Sequence, residues 1–230
     1  MKLYGLQKMT LLDFPGHVAC TVFLNGCDLR CPFCHNFELV DGTAKPIMDE
    51  EEFLAFLAKR KGLLDGVAFT GGEPCLHSGL PSLMRRIREM GFAVKLDTNG
   101  CHPDMLEAIL KEGLIDYAAM DIKNSPEKYA VTCGLESMDL APIRRSISLL
   151  QNSGIDFEFR TTVIEQFHQA EDFEAIGKMI QGAKKYFLQA FTDRDTVPYG
   201  GLCAPSREAM EAYRDIMLKY TDVAEIRGMD

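Results

Sequence analysis

The chain has 230 residues, 47% of them apolar and 26% charged, a balance that suits a globular protein able to bury a sizeable core. Its net charge of −9 argues against a nucleic-acid binder, which needs a basic patch to neutralise phosphates. No apolar run is long enough to span a bilayer and no signal-peptide pattern opens the chain. A cytoplasmic protein with one domain over residues 1–230 is expected, with neither nucleic acid nor membrane among its partners.

Residues 1–18 read as a polar and apolar lead-in closed by the Pro15-Gly16 turn. Ala19–Leu24 is short, apolar and rich in β-formers, the pattern of a buried strand. The loop Cys27-Asp28-Leu29-Arg30-Cys31-Pro32-Phe33-Cys34 follows it. Asp49-Glu50-Glu51-Glu52 then opens a helix, with acids in the first turn where the helix dipole favours them. Further strands are expected at residues 66–70, 92–96, 115–122, 157–163 and 186–190, and a short last one at 223–226. Helices are expected between them at 80–90, 103–111, 141–152, 171–181 and 206–219. Strand and helix alternate about six times, which implies parallel strands joined by helical crossovers. No GxGxxG motif opens a helix after the first strand, so a dinucleotide-binding sheet is unsupported. Six βα units are too few for an eight-stranded barrel, and an open, partial (β/α)6 barrel with outer helices fits the count. In parallel α/β folds, ligands gather at the C-terminal ends of the strands.

The motifs that carry chemistry all follow expected strands. Cys27, Cys31 and Cys34 place three thiols within eight residues. Soft thiolates select zinc, Cu(I) or iron–sulfur clusters, and structural zinc wants four closed ligands, usually as two separated pairs. The chain has no second Cys-x-x-Cys. Three cysteines on a [4Fe–4S] cluster leave one iron open to an exogenous molecule. His35 abuts the last thiol, and hydrogen bonding or packing suits it better than a ligand role on the same core. The other cysteines (Cys20, Cys75, Cys101, Cys133 and Cys203) are scattered singly and read as packed or incidental thiols.

After the second strand, Gly71-Gly72-Glu73-Pro74 lets backbone approach a ligand closely and offers an acceptor for an ammonium group; a plain βα turn is the bland alternative. After the third, Asp97-Thr98-Asn99-Gly100 could hold ribose hydroxyls or simply form an Asx-turn. After the fourth, alternation points Asp121 and Lys123 the same way, into a site or onto a solvated rim. Arg160 lies on the fifth strand among apolar neighbours, where it could meet a carboxylate or form an outward salt bridge.

Cys27-x-x-x-Cys31-x-Phe33-Cys34 resembles the signature of the radical S-adenosylmethionine (SAM) superfamily. The resemblance implies the partial barrel, one [4Fe–4S] cluster held by Cys27, Cys31 and Cys34, and SAM chelated to the open iron. Reductive cleavage of SAM then releases a 5′-deoxyadenosyl radical, chemistry that needs the reducing end of the cluster range, near about −700 mV. Phe33 is placed among the cofactor contacts. Gly71, Gly72 and Glu73 resemble the GGEP motif that meets the SAM amino group. Leu96–Gly100 and Met120–Lys123 resemble the glycyl-radical-enzyme activating branch, implying that Asp97 and Asn99 contact the ribose region and that Asp121 and Lys123 line the SAM pocket. A monovalent cation near Asp97 and Asp121 is also implied, and Arg160 is a candidate partner for the SAM carboxylate.

Gly5-Leu6-Gln7-Lys8, Leu11, Asp13 and Pro15-Gly16, with Gly26–Asn36, are most similar to activating proteins of anaerobic (class III) ribonucleoside-triphosphate reductases. The expected partners are therefore that glycyl radical enzyme and flavodoxin or ferredoxin as electron donor. The similarity weakens after Thr162; Cys75 follows GGEP unexpectedly, and Gln189–Asp193 lacks a histidine that some activating enzymes place near substrate. No inserted eight-cysteine ferredoxin segment is present, so a second cluster is not expected. The alternative readings are a radical SAM enzyme acting on a small molecule or peptide and, from another class, a zinc-bearing binding module.

Overall fold

In the computed structural model, which describes residues 1–229, Ala19–Leu24 is buried along almost its whole length, as a strand covered on both faces must be. The strands are β1 (Lys2–Leu3), β2 (Gly5–Thr10), β3 (Ala19–Leu24), β4 (Met48–Asp49), β5 (Gly66–Gly71), β6 (Ala93–Thr98), β7 (Tyr117–Asp121), β8 (Asp156–Val163), β9 (Ala183–Ala190) and β10 (Thr221–Arg227). The helices are α1 (Phe37–Asp41), α2 (Glu50–Arg60), α3 (Leu80–Glu89), α4 (Pro103–Lys111), α5 (Tyr129–Thr132), α6 (Ala141–Gln151), α7 (Ala170–Met179) and α8 (Arg207–Met217).

Each long helix starts where its sequence supplies a stop for unpaired amides. Asp49 and Glu52 form a reciprocal capping box at α2, with Asp49 Oδ1 accepting from Glu52 N at 3.0 Å and Glu52 Oε2 from Asp49 N at 2.8 Å. Ser206 caps α8 by accepting from Ala209 N, and α3, α4 and α6 carry a proline in the first turn, where no amide is missed.

The main sheet runs β10-β9-β8-β7-β6-β5-β3-β2. Every neighbouring pair from β3 to β10 is parallel, and α2, α3, α4, α6, α7 and α8 provide the crossovers. The partial (β/α)6 barrel with a parallel open sheet is therefore the architecture. The end strands β2 and β10 do not pair with each other, so the barrel has a lateral seam. Because the parallel strands share one direction, the segments after Leu24, Gly71, Thr98 and Asp121 emerge at one rim.

The lead-in differs from expectation. Residues 1–18 contain two strands: β1 pairs antiparallel with β4, and β2 pairs antiparallel with β3 as the eighth strand of the sheet. Gly5-Leu6-Gln7-Lys8-Met9-Thr10 lacks clean alternation because an edge strand leaves much of its surface exposed. The short helices α1 and α5 span too little chain to show a helical period.

The last strand is locked by a buried charge. Glu158 on β8 is 1% exposed; it accepts from Arg227 of β10 at 2.8 and 3.0 Å and from the Tyr117 hydroxyl of β7 at 2.8 Å. Removing one partner of a buried pair leaves an uncompensated charge. Because Arg227 is itself 38% exposed and water takes up part of the loss, Arg227→Met is expected to destabilise the fold by about 1–2 kcal/mol, seen as a lower urea midpoint with an unchanged slope.

Candidate functional site at the strand ends

The cysteine loop is held from three sides by backbone hydrogen bonds. Gly26 N donates to Leu39 O at 2.8 Å beside α1, Glu73 N to Gly26 O at 2.7 Å after β5, and Arg30 N to Cys133 O at 2.9 Å after α5. Two glycines permit this approach. A Cβ on Gly72 would stand 2.0 Å from Gly26 O, and one on Gly134, whose φ is +71°, would stand 2.2 Å from Arg30 O. The three thiols consequently line one cavity of about 480 Å³, within the size range of small-molecule sites.

Burial pushes the Cys27 thiol up to about 12 and the Cys34 thiol above its ordinary value. Cys31 is lowered to about 7, chiefly by a hydrogen bond from the Cys133 thiol, with Lys123 adding to it against burial. Among the described residues no three His, Cys, Asp or Glu groups converge on a single metal ion. A cubane differs from a single ion in that each thiolate binds its own iron, so three separated thiols on one cavity wall fit the cluster's donor chemistry.

The same cavity carries a polar network built by alternation on parallel strands. Asp121 and Arg160 are direct cross-strand neighbours, and Arg160 Nε donates to Asp121 Oδ1 at 2.5 Å while its Nη2 donates to Asp97 Oδ2 at 3.1 Å. Lys123 Nζ donates to Asp121 Oδ2 at 2.8 Å. Burial opposes ionisation of Asp121, but Arg160 and Lys123 outweigh it and hold its carboxyl well below the usual range. The sequence left open whether these charges face a site or a solvated rim; all four line the cavity.

Phe33, Gly71, Gly72 and Asn99 also line it. Glu73 does not. Its side chain is fully buried behind the turn and accepts from Cys75 N at 2.9 Å, Thr98 Oγ1 at 2.8 Å and Asn99 N at 2.6 Å. Its carboxylate braces the turn and the end of β6, while the neighbouring Gly71 and Gly72 line the cavity. His35 Nε2 bonds Thr192 O at 2.6 Å and its ring stacks on Phe191 at 5.5 Å, an arrangement of packing and hydrogen bonding.

Sequence reasoning missed Gln7, Asp13, Gln189 and Arg194 in the cavity lining. Gln7 and Asp13 were noted only as part of a resemblance, because the lead-in was not read as packing beside β3; Gln189 and Arg194 fall where motifs become diffuse. Lys95 was also passed over, although its parity with Asp97 on β6 was legible. It is nearly buried, with Nζ 3.1 Å from Asp97 Oδ1 and donating to the Asp13 carbonyl.

The sequence pattern of the Radical SAM superfamily matches residues 21–180, so the chain belongs to that superfamily, whose members carry a [4Fe–4S] cluster and SAM. It is a radical SAM enzyme related to glycyl-radical-enzyme activases. A Methanocaldococcus jannaschii protein provisionally named a glycyl-radical enzyme activating enzyme is 31% identical over 234 residues, covering 98% of this chain and 95% of the relative. A pyruvate formate-lyase-activating enzyme from Clostridium pasteurianum is 33% identical over 128 residues, 54% of this chain and 52% of that one. A 7-carboxy-7-deazaguanine synthase from Thermococcus kodakarensis is 27% identical over 184 residues, 71% of this chain and 70% of the relative. The fold also matches a solved domain of a pyruvate-formate lyase-activating enzyme from Bacteroides vulgatus, with TM-score 0.58 and 18% identity over 71% of this chain and 99% of that domain.

Gly72→Ala is expected to cost about 1–3 kcal/mol through overpacking against Gly26 and to lower iron content after anaerobic reconstitution. The carboxylate network gives a second expectation. Asp121 has a folded-state pKa below its unfolded value near ~3.9, so its stabilisation is complete above about pH 4 and is lost as pH falls below that. Urea midpoints measured between pH 6 and pH 3 should drop more steeply in wild type than in Asp121→Asn.

Proposed function

We propose that this enzyme installs a radical on a backbone glycine of a partner glycyl radical enzyme, and that the partner is an anaerobic ribonucleoside-triphosphate reductase. Cys27, Cys31 and Cys34 would hold the cluster, and Phe33, the Gly71-Gly72 backbone, Asp97, Asn99, Asp121, Lys123 and Arg160 would surround SAM. With both groups bound, the site supplies one-electron cleavage of SAM to a 5′-deoxyadenosyl radical that abstracts the glycine hydrogen. Flavodoxin or ferredoxin is the proposed electron donor, in an anaerobic cytoplasm.

The observation that carries the reading is the convergence of the three thiols and the Asp97–Arg160–Asp121–Lys123 wall on one cavity at the strand ends. The chain's own groups have definable tasks there. Arg160 presents a guanidinium that suits a carboxylate, and its two aspartates keep that group charged despite burial, the burial working against the charge. Gly71 and Gly72 leave no room for a side chain against Leu24 and Gly26, and both line the cavity where SAM would lie. Asp97 Oδ1 is buried without an aligned hydrogen-bond donor, Lys95 Nζ lying 3.1 Å away, and this oxygen is where we place a monovalent cation.

Support for an activase over other substrates comes from the relative whose length this chain covers almost entirely and whose name assigns it to glycyl-radical enzyme activation. Support for the particular reductase is the similarity of Gly5–Gly16 and Gly26–Asn36 noted in the sequence. The deazaguanine synthase likeness favours the second reading, a small-molecule substrate.

Cys31→Ala is expected to abolish iron–sulfur loading and 5′-deoxyadenosine formation; wild-type 5′-deoxyadenosine yield in that variant would overturn the assignment. Mixing the reduced enzyme and SAM with an anaerobic ribonucleoside-triphosphate reductase should give a glycyl-radical EPR signal. Its absence, with 5′-deoxyadenosine still produced on a small molecule, would favour the second reading.

A further inference from the structure

We propose that Asn99 is a positioning residue whose side-chain amide donates a hydrogen bond to the Cys27 sulfur and so raises the reduction potential of the metal core bound there. The inference rests on the reading of Cys27 as a cluster ligand and goes beyond the SAM contact that the sequence suggests for Asn99.

Asn99 is 6% exposed at the end of β6, with its main-chain N and both side-chain polar atoms engaged. Its main-chain N donates to Glu73 Oε2 at 2.6 Å. Its Oδ1 accepts from Cys101 N at 2.9 Å, and its Nδ2 lies 3.6 Å from Cys27 Sγ. The first two contacts fix the direction of the third. An amide whose oxygen already meets an N–H donor must present its NH2 at the other end, and that end faces the sulfur. Glu73 holds the backbone of Asn99 while also accepting from Cys75 N and Thr98 Oγ1, so the amide is aimed by a buried and fully occupied carboxylate.

Cys27 Sγ also accepts from Leu29 N at 3.4 Å, giving this thiol two nitrogen donors. Among the described residues it is the one member of the loop's three thiols that receives a side-chain amide. Hydrogen bonds to a ligating sulfur are among the factors that set a cluster's potential. The physical reason is that a reduced core carries one more negative charge. An N–H dipole pointed at the sulfur therefore stabilises the reduced form more than the oxidised one. Asn99 thus joins the Gly-Gly-Glu turn to the cysteine loop and eases electron entry at the same time.

The test uses full-length protein reconstituted anaerobically with iron and sulfide and kept free of SAM, with the midpoint read by EPR-monitored redox titration. Asn99→Leu removes the donor at similar size. Asn99→Ser keeps an oxygen for Cys101 N but is too short to reach Cys27. At the wild-type midpoint potential, both variants are expected to show at least a threefold fall in the reduced-to-oxidised ratio. At 59 mV per tenfold for a one-electron couple this is a shift of about 28 mV to more negative potential. An unchanged midpoint in iron-loaded variants overturns the proposal. Weaker SAM binding with an unchanged midpoint overturns it in favour of a plain SAM contact. Loss of the core in both variants also overturns it, because a donor to one sulfur tunes a core that the three thiols hold without it. Failure of the underlying reading looks different: wild-type protein would bind no iron–sulfur core, or Cys27→Ala would keep one.

Discussion

The structure depends on the near-contact between Gly72 and Gly26. Two stretches of backbone, one leaving β3 and one leaving β5, pass so close that no side chain fits between them. Their amides and carbonyls are joined by the bonds Gly72 N to Leu24 O and Glu73 N to Gly26 O. The thiols and the Gly-Gly backbone therefore share one rigid frame. Parallel pairing supplies the rest, because each further strand delivers its terminal charged residue to the same rim.

Charge is handled differently by the thiols and by the polar network that share the cavity. Among the thiols, burial pushes Cys27 and Cys34 up, whereas Cys31 is lowered, chiefly by its neighbour Cys133. The polar network is a salt-bridged lattice in which Arg160 spans Asp97 and Asp121. Such a lattice is costly to desolvate and is retained where charge must be presented in fixed directions. The two together give a cavity with places for a soft metal core and for a polar, charged ligand.

Much of this was legible in the sequence because the residues concerned sit at strand ends. The helix over Pro103–Lys111 and the strand over Ala19–Leu24 were placed to the residue, since a proline marks the one and a short apolar run rich in β-formers the other. The cysteine spacing and the Asp121–Lys123 parity led directly to the cavity wall. Edge strand β2 was not legible, because its exposure blurs the two-residue period, and with it went Gln7 and Asp13. Glu73 shows the limit of motif reading. The motif marks its place, but the groups its carboxylate meets depend on the donors around it, here Cys75 N, Thr98 Oγ1 and Asn99 N, which converge from two separate strand ends.

The seam between β2 and β10 has a mechanical meaning. A closed cylinder widens only by tearing a ladder of backbone hydrogen bonds, whereas a C-shaped shell spreads at its gap with every ladder intact. Glu158, Arg227 and Tyr117 bind β7, β8 and β10 into one stiff flank, so any spreading is taken up across the gap rather than within that flank. The shell can thus widen sideways while the rim at the strand ends keeps its shape.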